Sequence, residues 1–316
     1  MLNPCQTDFS CQGCGADFDN IVSLHDHIKT HKLSPEKYYF KYYPRVDLYT
    51  KEPLRYKSRE SYFSNDFITR TNLKKWLQER EEIDGDLVRD YCKNWLLNRK
   101  SNKKLVYAPC HLELKTLIAP QIDYYNELFG SYYALCRELG FKDRYTTPEQ
   151  NKDCLNKSVS DFKIIIDTRE KTPIKLNDSK VDTLNYGDYA RADEEVNSVR
   201  IERKSLPDAI QTFGVGLDRF EREIQRAKDA GCNLVVLVED KFSNFMSFPY
   251  LPHIRSKCTV DYISHNIRYL INGYDNVQFL FCDNRVEAAR LIKKLLGNTD
   301  LFNLFDLQLA FDKKLL

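Results

Sequence analysis

Between residues 162 and 296 the chain alternates short, β-branched apolar runs with amphipathic helical stretches, and this restricts the fold more than any other feature. Phe162-Lys-Ile-Ile-Ile-Asp167, Leu184 to Tyr189, Val199-Arg-Ile-Glu202, Leu234-Val-Val-Leu-Val-Glu239 and Val277 to Cys282 have the length and residue types of strands. Pro207 suits the first turn of a helix running through Phe213, and Gly214 and Gly216 break it. Leu217 to Ala230 carries Phe220, Ile224 and Ala227 on one face and dense charge on the other, and Gly231 closes it. Thr259 to Ile271 and Val286 to Leu296 are further helical stretches. Strands alternating with helices predict an α/β sandwich.

With 316 residues there is material for two or three domains, and 13% aromatic residues exclude wholesale disorder. The formal net charge is only +2, so a nucleic-acid surface requires local segregation of charge. Cys5, Cys11 and Cys14 lie close together, whereas Cys92, Cys110, Cys136, Cys154, Cys232, Cys258 and Cys282 are scattered singly in apolar surroundings. That pattern predicts buried thiols in a reducing compartment, without a disulfide framework. No apolar signal core opens the chain, and no apolar run approaches the ~20 residues that span a bilayer. We expect a soluble intracellular protein of the cytoplasm or nucleoid (the nucleus if the source is eukaryotic), with no membrane partner.

Residues 1–34 hold Phe9-x-Cys11-x-x-Cys14, then Phe18, Leu24, His27 and His31. Two thiolates on a turn and two imidazoles one helical turn apart make a closed tetrahedral Zn²⁺ site, with Phe18 and Leu24 as its small core. The stretch resembles the Cys-Cys-His-His zinc-finger family, which implies a small ββα fold and a structural zinc. His25 falls off the ligand face, so we expect it in solvent. In a DNA-reading docking mode Asn20, Ser23 and Asp26 would face the bases. Against that, Asp8, Asp17, Asp19 and Asp26 outnumber Lys29 and Lys32, and an acidic module gains little from phosphates. A structural or protein-binding role stands beside DNA contact.

Residues 35–115 read as a basic, aromatic and partly helical region. Lys41, Arg45, Lys51, Arg55, Lys57, Arg59, Arg70, Lys74 and Lys75 interleave with Tyr42, Tyr43, Tyr49, Tyr56, Tyr62, Phe63 and Phe67. Such a mixture suits either backbone contact with base stacking or a solvated surface over a tyrosine-rich core. Helices are expected over Thr71 to Glu82 and Leu87 to Leu97, followed by a basic turn, Arg99 to Lys104, in which Lys100, Lys103 and Lys104 are candidates for a phosphate clamp. In 116–146, Ser131 can cap a helix whose Tyr132, Leu135, Cys136 and Leu139 form one apolar stripe closed by Gly140. With the helix before it, this hairpin resembles the small helical repeat beside the catalytic domains of homing endonucleases. The resemblance implies DNA binding, with Ser131 and Tyr132 as candidate contacts. Residues 147–160 read as a polar linker.

The chemistry concentrates at Gly187-Asp188 and at Val199-Arg-Ile-Glu-Arg-Lys-Ser-Leu-Pro-Asp208. Carboxylates from neighbouring strands and a lysine two residues along make a compact site for a divalent metal and an activated water. The alternative is a salt-bridged strand end, with Glu202 and Lys204 on one exposed face. Ile164-Ile-Ile-Asp-Thr-Arg-Glu170, Gly187-Asp188, Glu202-Arg203-Lys204 and Asp208 together resemble the XPF-type nuclease domain of the PD-(D/E)XK superfamily, over roughly residues 162 to 296. The resemblance implies a restriction-endonuclease-like α/β fold for 161–298. It implies Asp188 and Glu202 as Mg²⁺ (or Mn²⁺) ligands, with Asp167 joining from the first strand. Lys204 would orient or deprotonate the attacking water, and Arg169, Glu170, Arg203 and Asp208 would form a supporting polar shell. The family also often pairs its nuclease domains, implying a homodimer.

Two departures matter. Asp193, Glu194 and Glu195 load the connecting loop with acid, and the 18 residues of 299–316 are too few for the tandem helix-hairpin-helix module common in the family, which we therefore do not expect in this stretch. That apolar tail is expected to pack on the core or on a second subunit, while Gln308-Leu-Ala-Phe311 faintly resembles peptides that bind replication clamps. The expected activity is a metal-dependent DNA endonuclease whose N-terminal half selects sites, in the manner of homing or mobile-element enzymes. A structure-specific repair or recombination nuclease and a DNA-binding regulator with an inactive nuclease fold are the alternatives.

Overall fold

The computed structural model describes residues 9–146, 151–157, 161–193 and 198–316. Cys5, Asp8, Glu194 and Glu195, all used in the sequence reading, lie outside them. The chain divides into two compact units, residues 1–95 with 118–120, and residues 96–117 with 121–316.

In the first unit α1 (Ile21–Ile28) runs into a 3-10 turn (Lys29–His31), followed by α2 (Pro35–Tyr42), α3 (Arg59–Ser64) and α4 (Arg70–Ile83). Asn20, Ser34, Ser58 and Thr69 start these helices, each side chain accepting from a backbone N–H three residues on. The interleaved aromatics turn inward. Tyr38, Tyr39, Tyr62 and Phe63 are buried with Cys11, Leu24 and Ile28 in one cluster, to which Phe9, Phe18, Tyr42, Tyr43 and Tyr56 add. The finger and the tyrosine-rich region therefore share a core, and these rings are packing rather than a platform for bases. Asp47 is fully buried and accepts from the amides of Tyr49, Thr50 and Ile68 and from Asn72 Nδ2, which ties the loop to α4.

The next helix, α5 (Gly85–Lys103), contains the unit boundary. Most of the expected basic turn is its last turn instead, and Arg99 and Lys100 are engaged. Arg99 bonds the fully buried Glu113, and Lys100 Nζ donates to Leu139 O (3.0 Å) and Gly140 O (2.7 Å), capping a helix C-terminus. Then follow α6 (His111–Thr116), α7 (Ile122–Phe129) and α8 (Tyr132–Glu138). Ser131 caps α8 by accepting from Ala134 N, as its position suggests. Tyr132 is fully buried and donates to Pro109 O (2.7 Å), so it is unavailable to DNA. The described part of the expected linker is docked: α9 (Lys152–Asn156) buries Leu155, and Asn298 Nδ2 donates to Cys154 O.

The sheet contains β1 (Ile164–Asp167), β2 (Ser179–Asp182), β3 (Tyr189–Arg191), β4 (Val199–Lys204), β5 (Asn233–Val238) and β6 (Val277–Phe281), in the order β2-β1-β3-β4-β5-β6. β3 is antiparallel to both neighbours and the other pairs are parallel. Between the strands lie α10 (Leu206–Phe213), α11 (Leu217–Asp229), α12 (Phe242–Ser247) and α13 (Val260–Gly273). After β6 come α14 (Arg285–Gly297), α15 (Asp300–Leu304) and α16 (Leu307–Asp312). Period-two alternation sorts the strands between two cores. Leu234, Val236 and Val238 pack with α10 to α13, whereas Val235 and Leu237 pack with α14 to α16. This is the expected α/β sandwich.

The apolar tail covers the β6 edge. Gln308, 1% exposed, accepts from Phe281 N (2.8 Å), and Gln278 Nε2 donates to Phe302 O and Phe305 O. The clamp-binding expectation for Gln308 to Phe311 fails on this burial. The described cysteines are free thiols, and burial pushes Cys92, Cys136 and Cys282 up to about 12. Among the described residues no helix is long and apolar enough to cross a membrane.

Candidate active site and metal cluster

Gly187 sets the site. Its φ is +67°, and a Cβ there would lie 3.0 Å from Ile201 O, so only glycine lets this segment press against β4. The result is a continuous ladder: Asp167 N donates to Asp188 O (2.9 Å) and Asp188 N to Ile201 O (2.7 Å). Asp188 thereby meets β4, where Arg203 N donates to its Oδ2 at 2.8 Å.

Alternation along β4 divides its motif. Val199 and Ile201 enter the α14 core, so Glu202 and Lys204 point to the opposite face, beside α11. Lys204 Nζ donates to Glu202 Oε1 (2.5 Å) and stands 5.4 Å from the centroid of the Phe220 ring. Burial and then the charge of Glu202 push the Asp188 carboxyl up to about 8. Burial works against the charge on Lys204, yet Glu202 and then Asp188 outweigh it and hold the ammonium above the usual lysine value. With both crowded carboxylates ionised, their negative charge would exceed the one cation, the condition that a bound divalent cation relieves.

Asp167 does not join them. Both its oxygens are engaged, by Arg169 N (2.7 Å), Arg169 Nε (2.7 Å), Arg169 Nη2 (3.1 Å) and Leu184 N (2.7 Å). Burial opposes its charge, but these bonds win and hold the carboxyl below its ordinary value. Asp167 and Arg169 form a clamp on the loop after β1, and the candidate metal ligands are a pair rather than a trio. Arg203 bonds Glu239 Oε2 (2.5 Å), Glu170 Oε1 (3.1 Å) and Thr172 O (3.1 Å), and Arg285 joins through Glu239 and Thr172 O. Asp208 stays at the α10 N-terminus, where it accepts from Ser205 Oγ (2.6 Å) and the Ser205 hydroxyl accepts from its amide.

Glu223 on α11 is the residue that sequence reasoning missed. Burial, then Glu202, raises its carboxyl above the usual range, while Lys204, Arg226 and Arg169 act against that rise. Its position beside the Phe220 and Ile224 stripe was the available signal, hidden among the charges of that helix.

The second cluster is Cys11, Cys14, His27 and His31, whose ligand atoms all lie within 4.8 Å of one another. Among the described residues it is the group of three or more such side chains with that geometry. Cys11 and Cys14 sit on a tight turn closed by Gly15 N to Cys11 O (2.7 Å), and the histidines come from α1 and its 3-10 extension. The donor set fits tetrahedral Zn²⁺. Residues 9–20 contain no strand, so the ββα form is not seen there. Asn20 caps α1 and accepts from Ser23 N and Oγ, which uses both side chains locally, and Asp26 pairs with Lys29. His25 is not in free solvent: it is half-buried, 3.2 Å from Tyr39 OH.

This sheet and its strand-borne carboxylate–lysine set have the character of a nuclease-type domain. Residues 156–295 match the ERCC4 domain, which sets an ERCC4/XPF-type nuclease domain over the site described above. Comparison with curated proteins gives no match. Among solved structures, XPF from Aeropyrum pernix in complex with DNA aligns at a TM-score of 0.32 and 16% identity, covering 44% of this chain and 66% of that one, just under two thirds. XPF from Aeropyrum pernix aligns at a TM-score of 0.33 and 14% identity, covering 48% of this chain and 68% of that one.

Proposed function

We propose that the protein is a divalent-metal-dependent DNA endonuclease. The observation that carries this is the convergence of the half-buried Asp188 and the buried Glu202 beside Lys204, inside the ERCC4 match. Asp188 and Glu202 would hold Mg²⁺ or Mn²⁺, which polarises a phosphate and lowers the pKa of a bound water. Lys204, kept as an ammonium by its carboxylate neighbours, orients the water and offsets the negative charge of the transition state rather than taking a proton. Arg203 and the Asp167–Arg169 clamp hold the loops around the site. Zn²⁺ in the Cys-Cys-His-His cluster has a structural role.

Of the two modes of target choice, cutting guided by DNA structure is favoured over base reading. Asn20 and Ser23 bond each other, Tyr132 is buried and Lys100 is used internally. The test is cleavage mapping with Mg²⁺ on linear and branched oligonucleotides. We expect cuts near branches irrespective of sequence, and a fall of about 10²–10⁴-fold in Asp188→Ala and Lys204→Ala. Undiminished cleavage by both variants sinks the assignment, and recurrent cuts at one sequence restore the site-selective mode. DNA binding with no metal-stimulated cleavage by the wild type supports the inactive regulator.

A further inference from the structure

Every cation of the nuclease motif is already held by a carboxylate: Lys204 by Glu202, Arg203 by Glu170 and Glu239, Arg169 by Asp167. A polyanionic strand approaching Asp188, Glu202 and Glu223 therefore needs positive charge from another element. The geometry of α11 provides it. At 3.6 residues per turn, Phe220, Ile224 and Ala227 form its buried stripe, and two polar flanks of different character rise beside that stripe. On one flank Glu221 accepts from Tyr269 OH (2.6 Å) and Tyr274 OH (3.0 Å), and Lys228 pairs with Asp275 (2.7 Å). The other carries Arg219, Glu223 and Arg226, with Arg222 at the crest.

This second flank borders the active site. Glu223 feels the charges of Glu202, Lys204 and Arg169, and Phe220, in the same helix, lies under Lys204 Nζ. Arg219, Arg222 and Arg226 are exposed and make no hydrogen bond or ion pair with a described residue. From Arg219 to Arg226 the helix advances ~10 Å. That is about three nucleotides of one B-form strand at about 3.4 Å each.

Resting on the nuclease reading above, we infer that the Arg219, Arg222 and Arg226 face of α11 is a phosphate track holding the backbone of the DNA strand next to the scissile bond. Guanidinium groups that make no internal hydrogen bond or ion pair are suited to this, because they engage phosphate oxygens in pairs without first breaking one.

The test uses the full chain and a fluorescein-labelled oligonucleotide duplex. Binding is followed from about 50 to 200 mM KCl with Ca²⁺ in place of Mg²⁺, and cleavage is then measured in Mg²⁺. Every duplex phosphate that is no longer neutralised by an arginine should flatten the plot of log affinity against log salt by about 0.9. The triple variant Arg219→Gln/Arg222→Gln/Arg226→Gln should lose about 2–3 from that slope and bind at least ~10-fold more weakly at the lowest salt. Arg222→Gln alone should lose about 0.9, which keeps the test decisive if the triple variant melts early. Lys228→Gln, on the opposite flank, should leave the slope unchanged. A triple variant with wild-type slope and affinity overturns the track. Arginine-dependent binding by a wild type that never cleaves keeps the track and removes the nuclease reading. Cleavage by the wild type that is unaltered in the triple variant does the reverse, and a wild type that does not bind DNA overturns both.

Discussion

The two units are stabilised by different physics. The C-terminal sheet buries its central strand β5 on both faces: Leu234, Val235, Val236, Leu237 and Val238 are each 0% exposed, packed by apolar side chains from the helices above and below. The N-terminal unit has a core rich in tyrosines, whose hydroxyls need partners, and Cys11 lies within it as both a core residue and a candidate zinc ligand. One unit is held chiefly by apolar burial. The other joins its hydrophobic cluster to a coordination site, so metal and aromatic packing should fail together.

Metal removal gives the largest break between them. Structural zinc sites in isolated fingers carry about 10–16 kcal/mol of apparent binding free energy. Chelation, or Cys14→Ser with His31→Ala, should strip hydrogen-exchange protection from the helices of Tyr38, Tyr39 and Tyr62 while β5 stays protected. Retention of protection around Tyr39 would show that the tyrosine cluster folds without metal, and the contrast between the units would collapse.

The next effect lies inside the sheet unit, where function works against stability. Burial and Glu202 raise the Asp188 carboxyl to about 8. A carboxyl with a raised folded-state pKa favours folding when protonated, so the metal-free protein should lose stability as pH climbs from about 4 to about 8. Asp188→Asn stays neutral. It should stabilise the metal-free protein at pH 8 by on the order of 3 kcal/mol, an advantage that fades towards pH 4, while cleavage disappears. Thermal melts across this range read it out, and Mg²⁺ should raise the wild-type Tm but not that of the variant. An advantage independent of pH would mean that charge crowding is not its source.

These differences were unevenly legible in the sequence. Ile164 to Asp167 and Leu234 to Val238 announce themselves because β-branched runs bounded by polar residues have few alternatives. β2 does not, since Ser179-Lys-Val-Asp182 is an exposed edge strand with no apolar pattern. Gly187-Asp188 marks the site because a positive φ and a close approach leave no other residue in the first position. Asp167 misleads for a physical reason: a strand-end carboxylate is a metal ligand or a clamp according to where a guanidinium two residues away turns. Tyr132 misleads similarly, because a tyrosine on an apolar stripe carries a polar handle that is equally ready for a backbone carbonyl or for DNA.

The smallest effect is at the periphery of the sheet unit, where an ionic pin supplements apolar burial. Asp312 on α16 receives His111 Nε2 (2.9 Å) and the Lys115 ammonium, which join α16 to α6, and Gln308 Nε2 (2.9 Å) of its own helix. Burial alone would raise its carboxyl, but the bonds from His111 and Lys115 override this and hold it at about 2. A depressed carboxyl stabilises the fold above its unfolded pKa of about 4, and the contribution is lost as pH falls through about 2. Asp312→Asn should therefore cost about 2 kcal/mol at pH 7, with the gap to wild type closing between about pH 4 and pH 2. Urea titrations at pH 7 and pH 3 measure it. A gap of equal size at both values would place the loss in packing instead of charge, and the sheet unit would then rest on burial even at its edge.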